Sequence, residues 1–326
     1  MRRRFLQGTA VLLALGGSGA ARAQPQTTNG YPNRPIRIVV PFGAGGFSDT
    51  VARLAAQILA ERLRGTAVVD NRPGAAGNLA GEIVAQAAPD GYTLFLSNIA
   101  TNAINPNIYE RMPFDPDTAF DPVVLIARTP NLVLANNDLP VRSLAELIAL
   151  AKARPGALHY GTPGNGTSGH LSGALFCTMA GVQLTHVPYR GSPLVLTDLV
   201  NGQLQLAVDN ALTWAPHARE GRVRALGVTG RVRTPLLPEV PTLHEAGLPG
   251  FEATSWFGIS APRGTPAEIT MALNQALNAG IATDAFRKAV NGAEVAGGSP
   301  EEYRGFTVAE RRKWGEVTRQ IGLRVS

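Results

Sequence analysis

Two glycine-rich segments of this 326-residue chain have the residue types and spacing to hold an anion. The first is Phe42, Gly43, Ala44, Gly45, Gly46, Phe47, Ser48 and Asp49. It follows the apolar run Ile36–Val40 and precedes Val51, Leu54, Ala55, Ile58 and Leu59, which recur at helical spacing. The second runs from Thr162 through Asn165, Gly166, Thr167 and Ser168 to His170, between the short run Leu158-His159-Tyr160 and a helical pattern on Leu171, Ala174, Leu175 and Thr178. A strand that feeds a glycine turn and then a helix leaves free amides at the helix start, where the dipole adds roughly half a positive charge. Glycine lets that backbone approach a ligand closely, so such a turn can hold a carboxylate or phosphate without lysine or arginine. Neither turn is a nucleotide motif. Ser48 stands where the dinucleotide fingerprint needs its third glycine, and no Gly-Lys-Ser/Thr ending occurs. Each turn alone also reads as an ordinary tight connection; two in one chain point to a carboxylate held between them.

Four further side chains could reach such a ligand, each with an alternative role. Asp49 sits where a helix cap belongs or where a ligand ammonium or hydroxyl could be met. Asp209 ends the apolar run from Leu204 and either lines a cleft or closes a turn with Asn210. His170 could donate to an anion or pack at its helix start. Arg190, in Pro188-Tyr189-Arg190-Gly191, could supply a charged donor or lie in solvent. Catalytic readings are weaker. Gly166-Thr167-Ser168-Gly169-His170 misses the nucleophile elbow by its last residue, so a secreted hydrolase using Ser168 stays as the alternative function. The histidines at 159, 170, 186, 217 and 244 have no i,i+4 pair, and no metal site or cofactor is expected. The single cysteine, Cys177, falls in an apolar helical pattern and reads as a small core residue.

The elements that must position these residues alternate. Strands are expected at Ile36–Val40, Ala67–Val69 and Tyr92–Leu96, with helices between them, which argues for a parallel α/β sheet. Val123–Ala127 and Leu132–Ala135 read as strand carrying the chain into a second lobe. Leu158–Tyr160, Leu184–Pro188, Leu204–Asp209 and Arg224–Thr229 read as its strands, and Trp256–Ser260 returns to the first. Capping boxes are expected at Ser143–Glu146, Thr265–Glu268 and Ser299–Glu302. A last helix should place Tyr303, Phe306, Trp314 and Val317 on one face. The expected division is lobe 1 at 24–127 plus 252–326 and lobe 2 at 128–251.

Residues 1–23 have the form of a secretion signal: basic Met1-Arg2-Arg3-Arg4, a short apolar core from Thr9 to Leu15, and Ala21-Arg22-Ala23 before Gln24. Arg2-Arg3-Arg4-Phe5-Leu6 also fits a twin-arginine pattern, so either export route is open. The segment holds four of the 30 basic residues, which leaves 26 against 24 acidic ones, a net of +2. No basic run with interleaved aromatics remains, so nucleic acid is not an expected partner.

Several ordered motifs then carry a resemblance. They include Val40-Pro41-Phe42 with Gly45-Gly46 and Asp49, Asn71-Arg72-Pro73-Gly74-Ala75, Ala88-Pro89-Asp90-Gly91-Tyr92, Val187-Pro188-Tyr189-Arg190-Gly191, and Pro238-Glu239-Val240-Pro241-Thr242. From Tyr31 to near the C-terminus the chain resembles the substrate-binding receptors of tripartite tricarboxylate transporters, the Bug receptors. The resemblance implies a type II periplasmic-binding fold, two α/β lobes with a ligand cleft between them. It implies a non-catalytic, monomeric periplasmic receptor that passes a small carboxylate to membrane permease subunits; a receptor serving a signalling partner stays open beside it. It places the ligand against Phe42–Asp49, Thr162–His170, the Asp209 region and the segment from Ser97 and Asn98 to Asn102. Phe47 stands where many relatives have a small residue, and its ring could narrow the pocket, stack on an aromatic acid or turn outward.

Overall fold

The structure, a computed structural model, describes residues 30–290, 292–320 and 322–325; the leader read over residues 1–23 lies outside them. The chain runs β1 (Ile36–Val40), α1 (Phe47–Arg62), β2 (Ala67–Asn71), α2 (Asn78–Ala85), β3 (Thr93–Asn98), a π-helical turn (Ala100–Ile104), α3 (Asn105–Ile108) and β4 (Phe120–Ala135). It continues α4 (Leu144–Ala153), β5 (His159–Thr162), α5 (Ser168–Ala180), β6 (Thr185–Pro188), α6 (Ser192–Val200), β7 (Leu206–Asn210), α7 (Ala211–Arg219) and β8 (Arg224–Val228). The return comprises β9 (Thr254–Pro262), α8 (Ala267–Ile281), α9 (Asp284–Ala289), β10 (Glu294–Val295) and α10 (Pro300–Gln320).

One topology occurs twice. β1 pairs in parallel with β2 on one side and β3 on the other, and β5 pairs in parallel with β6 and β7 in the same way. Each stretch winds outward once and then reverses past its first strand. Such a reversal leaves a crevice at the carboxyl ends of the strands, because the connections on its two sides leave to opposite faces. Strands covered by helices on both faces must be apolar throughout. Ile36, Ile38, Val39 and Val40 are accordingly all buried. Helix α1 covers them with Val51, Ala52, Ala55, Ile58 and Leu59.

Two long strands join the stretches. β9 lies antiparallel between β3 and β4. In β4, Phe120–Pro130 pairs with β9, and Asn131–Ala135 pairs with β7 and β8. The two strands expected on either side of Pro130 are thus one strand of 16 residues. Pro130 has no N–H to give, and it falls at the last β9 pair, where the strand changes partners.

Of the three expected capping boxes, the one at Ser299–Glu302 forms in full and the one at Ser143–Glu146 in half, its glutamate reaching one residue further back. Ser143 Oγ accepts from Glu146 N (3.2 Å), while Glu146 Oε2 accepts from the Arg142 amide. Ser299 and Glu302 exchange bonds of 2.7 and 3.1 Å. The third does not: the Thr265 hydroxyl donates to Pro262 O (2.7 Å), and α8 begins after Pro266 with no side-chain cap. On α10, Tyr303 and Trp314 are buried, and Phe306 and Val317 pack partly buried against the same cluster. Cys177 packs half-buried against that cluster too, and burial pushes its thiol up to about 11. Among the described residues, no helix is long and apolar enough to cross a membrane.

Candidate ligand-binding cleft

The two crevices face each other across a cavity of about 470 Å³ of unfilled space. Its wall is built from strand ends. The turn after β1 brings Phe42, Gly43 and Gly46; the end of β3 brings Asn98 and Ile99; the turn after β5 brings Pro163 and Thr167. Gly191 and Ser192 follow β6, Asp209 and Asn210 end β7, and Ser255 and Phe257 come from β9. The cavity is narrow, closed in by the Phe47 and Phe257 rings.

Four helices begin at this wall. α1 starts at Phe47 after Gly46, α5 at Ser168 after Thr167, α6 at Ser192 after Gly191, and α7 at Ala211 after Asn210. Their first turns aim free amides at one region, and their dipoles add there. Ser48, Thr167, Ser168 and Ser192 also line the cavity, although the Thr167 hydroxyl donates to Gly164 O (2.8 Å) and accepts from His170 N (3.3 Å), that of Ser168 is bonded to Asn131 and that of Ser192 to Asp209. Among the described residues, no lysine, arginine or histidine lines the cavity. The arrangement can hold a carboxylate by neutral donors, with shape set by Phe47 and Phe257, whose rings meet edge to face at 5.2 Å. Phe47 is therefore buried on the inner wall and does not turn outward.

Several residues expected at the ligand stand one layer behind it. Asp49 Oδ2 accepts from Gly45 N (3.1 Å) and Arg53 Nε (2.9 Å), and its Oδ1 accepts from Asn71 Nδ2 (3.1 Å). Asn71 also donates to Phe42 O (3.0 Å), so the pair pins the first glycine turn. Burial pushes the Asp49 carboxyl upward, but these donors outweigh it and hold the group below the usual carboxylate range. His170 faces away from the cavity. Its Nδ1 accepts from Gly166 N (3.1 Å), and its ring stacks on His186 at 3.8 Å. Thr162 Oγ1 lies 2.7 Å from His186 Nε2. Ser97 is buried under β9, 2.9 Å from Ser260 Oγ and 2.8 Å from Tyr303 Oη. Ala44 and Gly45 are exposed. Asn165 and Arg190 line a second, wider cavity of about 990 Å³ beside Pro73–Gly77. Ser168 Oγ donates to Asn131 Oδ1 (3.3 Å) and makes no hydrogen bond to a histidine among the described residues.

The residues missed by sequence reasoning are instructive. Gly191-Ser192 is a third glycine turn before a helix, a signal the sequence did carry. Ser255 and Phe257 arrive on a strand from the far end of the chain, and no local pattern marks them. Among the described residues, no group of three or more metal-ligating side chains occurs.

Residues 51–323 match the family described as tripartite tricarboxylate transporter family receptor. The chain belongs to that receptor family. The protein BugT of Bordetella pertussis is 34% identical over 309 residues, covering 94% of this chain and 95% of BugT. The solved structure of R. palustris Rpa4515 with adipate is 42% identical, covers 90% of this chain and 99% of that one, and superposes with a TM-score of 0.87. MatC from Rhodopseudomonas palustris with bound malate is 34% identical, covers 88% and 99%, and gives a TM-score of 0.84. The receptor family's two-lobed type II periplasmic-binding fold is the fold seen here. Its members are periplasmic solute-binding receptors.

Proposed function

We propose that this chain, freed of residues 1–23 on export, captures a small carboxylate between its lobes in the periplasm and delivers it to membrane permease subunits of a tripartite transporter. Lobe 1 is residues 24–127 plus 252–326 and lobe 2 is residues 128–251. The observation that carries the reading is the convergence of four helix N-termini on a cavity that no cationic side chain lines among the described residues. Adipate and malate occupy the two related receptors. The narrow cavity suits a slender aliphatic acid better than an aromatic one. Ligand bridging both walls favours the closed arrangement only as far as it binds that arrangement more tightly.

A thermal-shift screen against straight-chain dicarboxylates, hydroxyacids, tricarboxylates, acidic amino acids and aromatic acids tests this. Saturation at about 100 times the Kd stabilises a fold by about 2.7 kcal/mol, a readable rise in Tm. Aliphatic acids are expected to raise Tm most. A screen in which no carboxylate moves it overturns the reading.

A further inference from the structure

Two buried polar atoms of cavity-lining residues find no partner among the described residues: Asn98 Nδ2, a donor, and Asn210 Oδ1, an acceptor. Neither can be cured by turning the amide over. Asn98 Oδ1 accepts from Ala100 N (2.7 Å) and Thr101 N (3.3 Å), which fixes Nδ2 as the unpaired atom. Asn210 Nδ2 donates to Asp209 Oδ1 (3.2 Å), and a turned amide would set oxygen against oxygen there. A buried amide atom left unpaired is costly, so a ligand that satisfies both must accept one hydrogen bond and donate another.

Asp209 sharpens this requirement. It is buried, and both its oxygens are already engaged, Oδ1 by Asn210 N (2.7 Å) and Oδ2 by Trp214 Nε1 (2.9 Å). Among the described residues it is the only titratable one lining the cavity. The charged groups on the packed elements are occupied elsewhere. Asp49 pairs with Arg53 on α1, and His170 on α5 stacks on His186. Asp198 on α6 accepts from Tyr189, His217 on α7 lies edge-on to Trp214, and Arg219 donates to Leu236 O. On β4, Arg128 lies over Phe306; on β8, Arg224 donates to Val141 O. A dianion entering this space would face a buried carboxylate with no cation to offset it, and would bring only acceptors to Asn210 Oδ1.

We propose that a dicarboxylic acid is held here as a monoanion, one carboxylate at the helix N-termini and the other carboxyl protonated and donating to Asn210 Oδ1, so that capture of the dianion takes up one proton. The proposal rests on the carboxylate-receptor reading. The proton comes from solvent and forms an O–H bond on the ligand's far carboxyl. Burial pushes the Asp209 carboxyl upward, consistent with a site that resists a second negative charge. An acidic amino acid would meet the same requirement with its own ammonium and needs no proton.

Titration calorimetry of the purified protein with adipate at pH 7.5, in two buffers of different ionisation enthalpy, reads the proton number directly. The expected result is an uptake near one, with affinity falling about tenfold per pH unit between 6.5 and 8.5. Glutamate, if it binds, is expected to show no uptake. Asp209→Asn removes the opposing charge and frees Asn210 to turn its N–H to the ligand, so uptake should fall toward zero. Asn210→Ala, on the half-buried rim, should lose it as well. Adipate bound with no proton exchange and a flat pH profile overturns the proposal while leaving the receptor reading intact. Uptake lost in Asp209→Asn but kept in Asn210→Ala would put the proton on Asp209 and overturn the proposal; uptake that persists in both variants overturns the role given to either residue. Failure of the dicarboxylates alone overturns this proposal; failure of every carboxylate class in the thermal-shift panel at every pH between 5 and 8 overturns the receptor reading itself.

Discussion

The stacked pair His170 and His186 gives the protein a pH response set by burial. Burial lowers His170 to about 4; burial and then the neighbouring His170 charge lower His186 to about 3. Both rings are therefore neutral in the folded state at pH 7, while unfolded histidines take protons from about pH 6.5 downward. Stability is full above about pH 6.5 and falls as pH drops toward the folded values, by up to about 1.4 kcal/mol per pH unit for each histidine. Urea unfolding at pH 5 and pH 7 should show this slope in the wild type and a shallower one in His186→Phe. Equal slopes would show that the rings do not carry it. The same pair marks the limit of what residue types reveal. His170 and Asp49 were legible as polar groups at the glycine turns. Whether each points at the ligand or braces the turn depends on partners far off in sequence, such as Asn71 and His186. Asn210 went unassigned for the same reason: its meaning comes from the Asp209 carboxylate that orients it.

At the scale of elements, the proposed capture between the lobes rests on glycines that touch across the cleft. A Cβ on Gly43, in the turn after β1, would lie 3.1 Å from the backbone carbonyl of Arg190, before α6. Gly43 does not occupy the left-handed region, so a larger residue is tolerated by its own backbone. Gly43→Val should leave the Tm of the free protein unchanged and weaken ligand binding at least tenfold, about 1.4 kcal/mol. A calorimetric Kd equal to that of the wild type would show that the two turns need not meet. Strand–turn–helix units were readable because each is local: apolar run, glycines, then apolar residues at helical spacing. The unity of β4 was not, because Pro130 breaks the local pattern and only the change of partner from β9 to β7 explains it.

At the scale of the whole molecule, the repeated topology could be read from two glycine turns, but the seam between the repeats could not. β9 completes the first sheet by lying between β3 and β4. The Ser97 hydroxyl beneath it contacts Ser260 and Tyr303, 163 and 206 residues away. A growing polypeptide that has emerged only as far as residue 250 therefore has β3 and β4 with their facing edges open. Contacts of such sequence separation form slowly, because a long loop must close before any of them is gained. The nascent chain is thus kept from finishing its first lobe until its last quarter has been synthesised, which leaves it threadable for most of its synthesis. A fragment ending at residue 250 should show no cooperative thermal transition, where the full chain shows a sharp one. A sharp transition in the fragment would mean that the first lobe folds before its own closing strand exists.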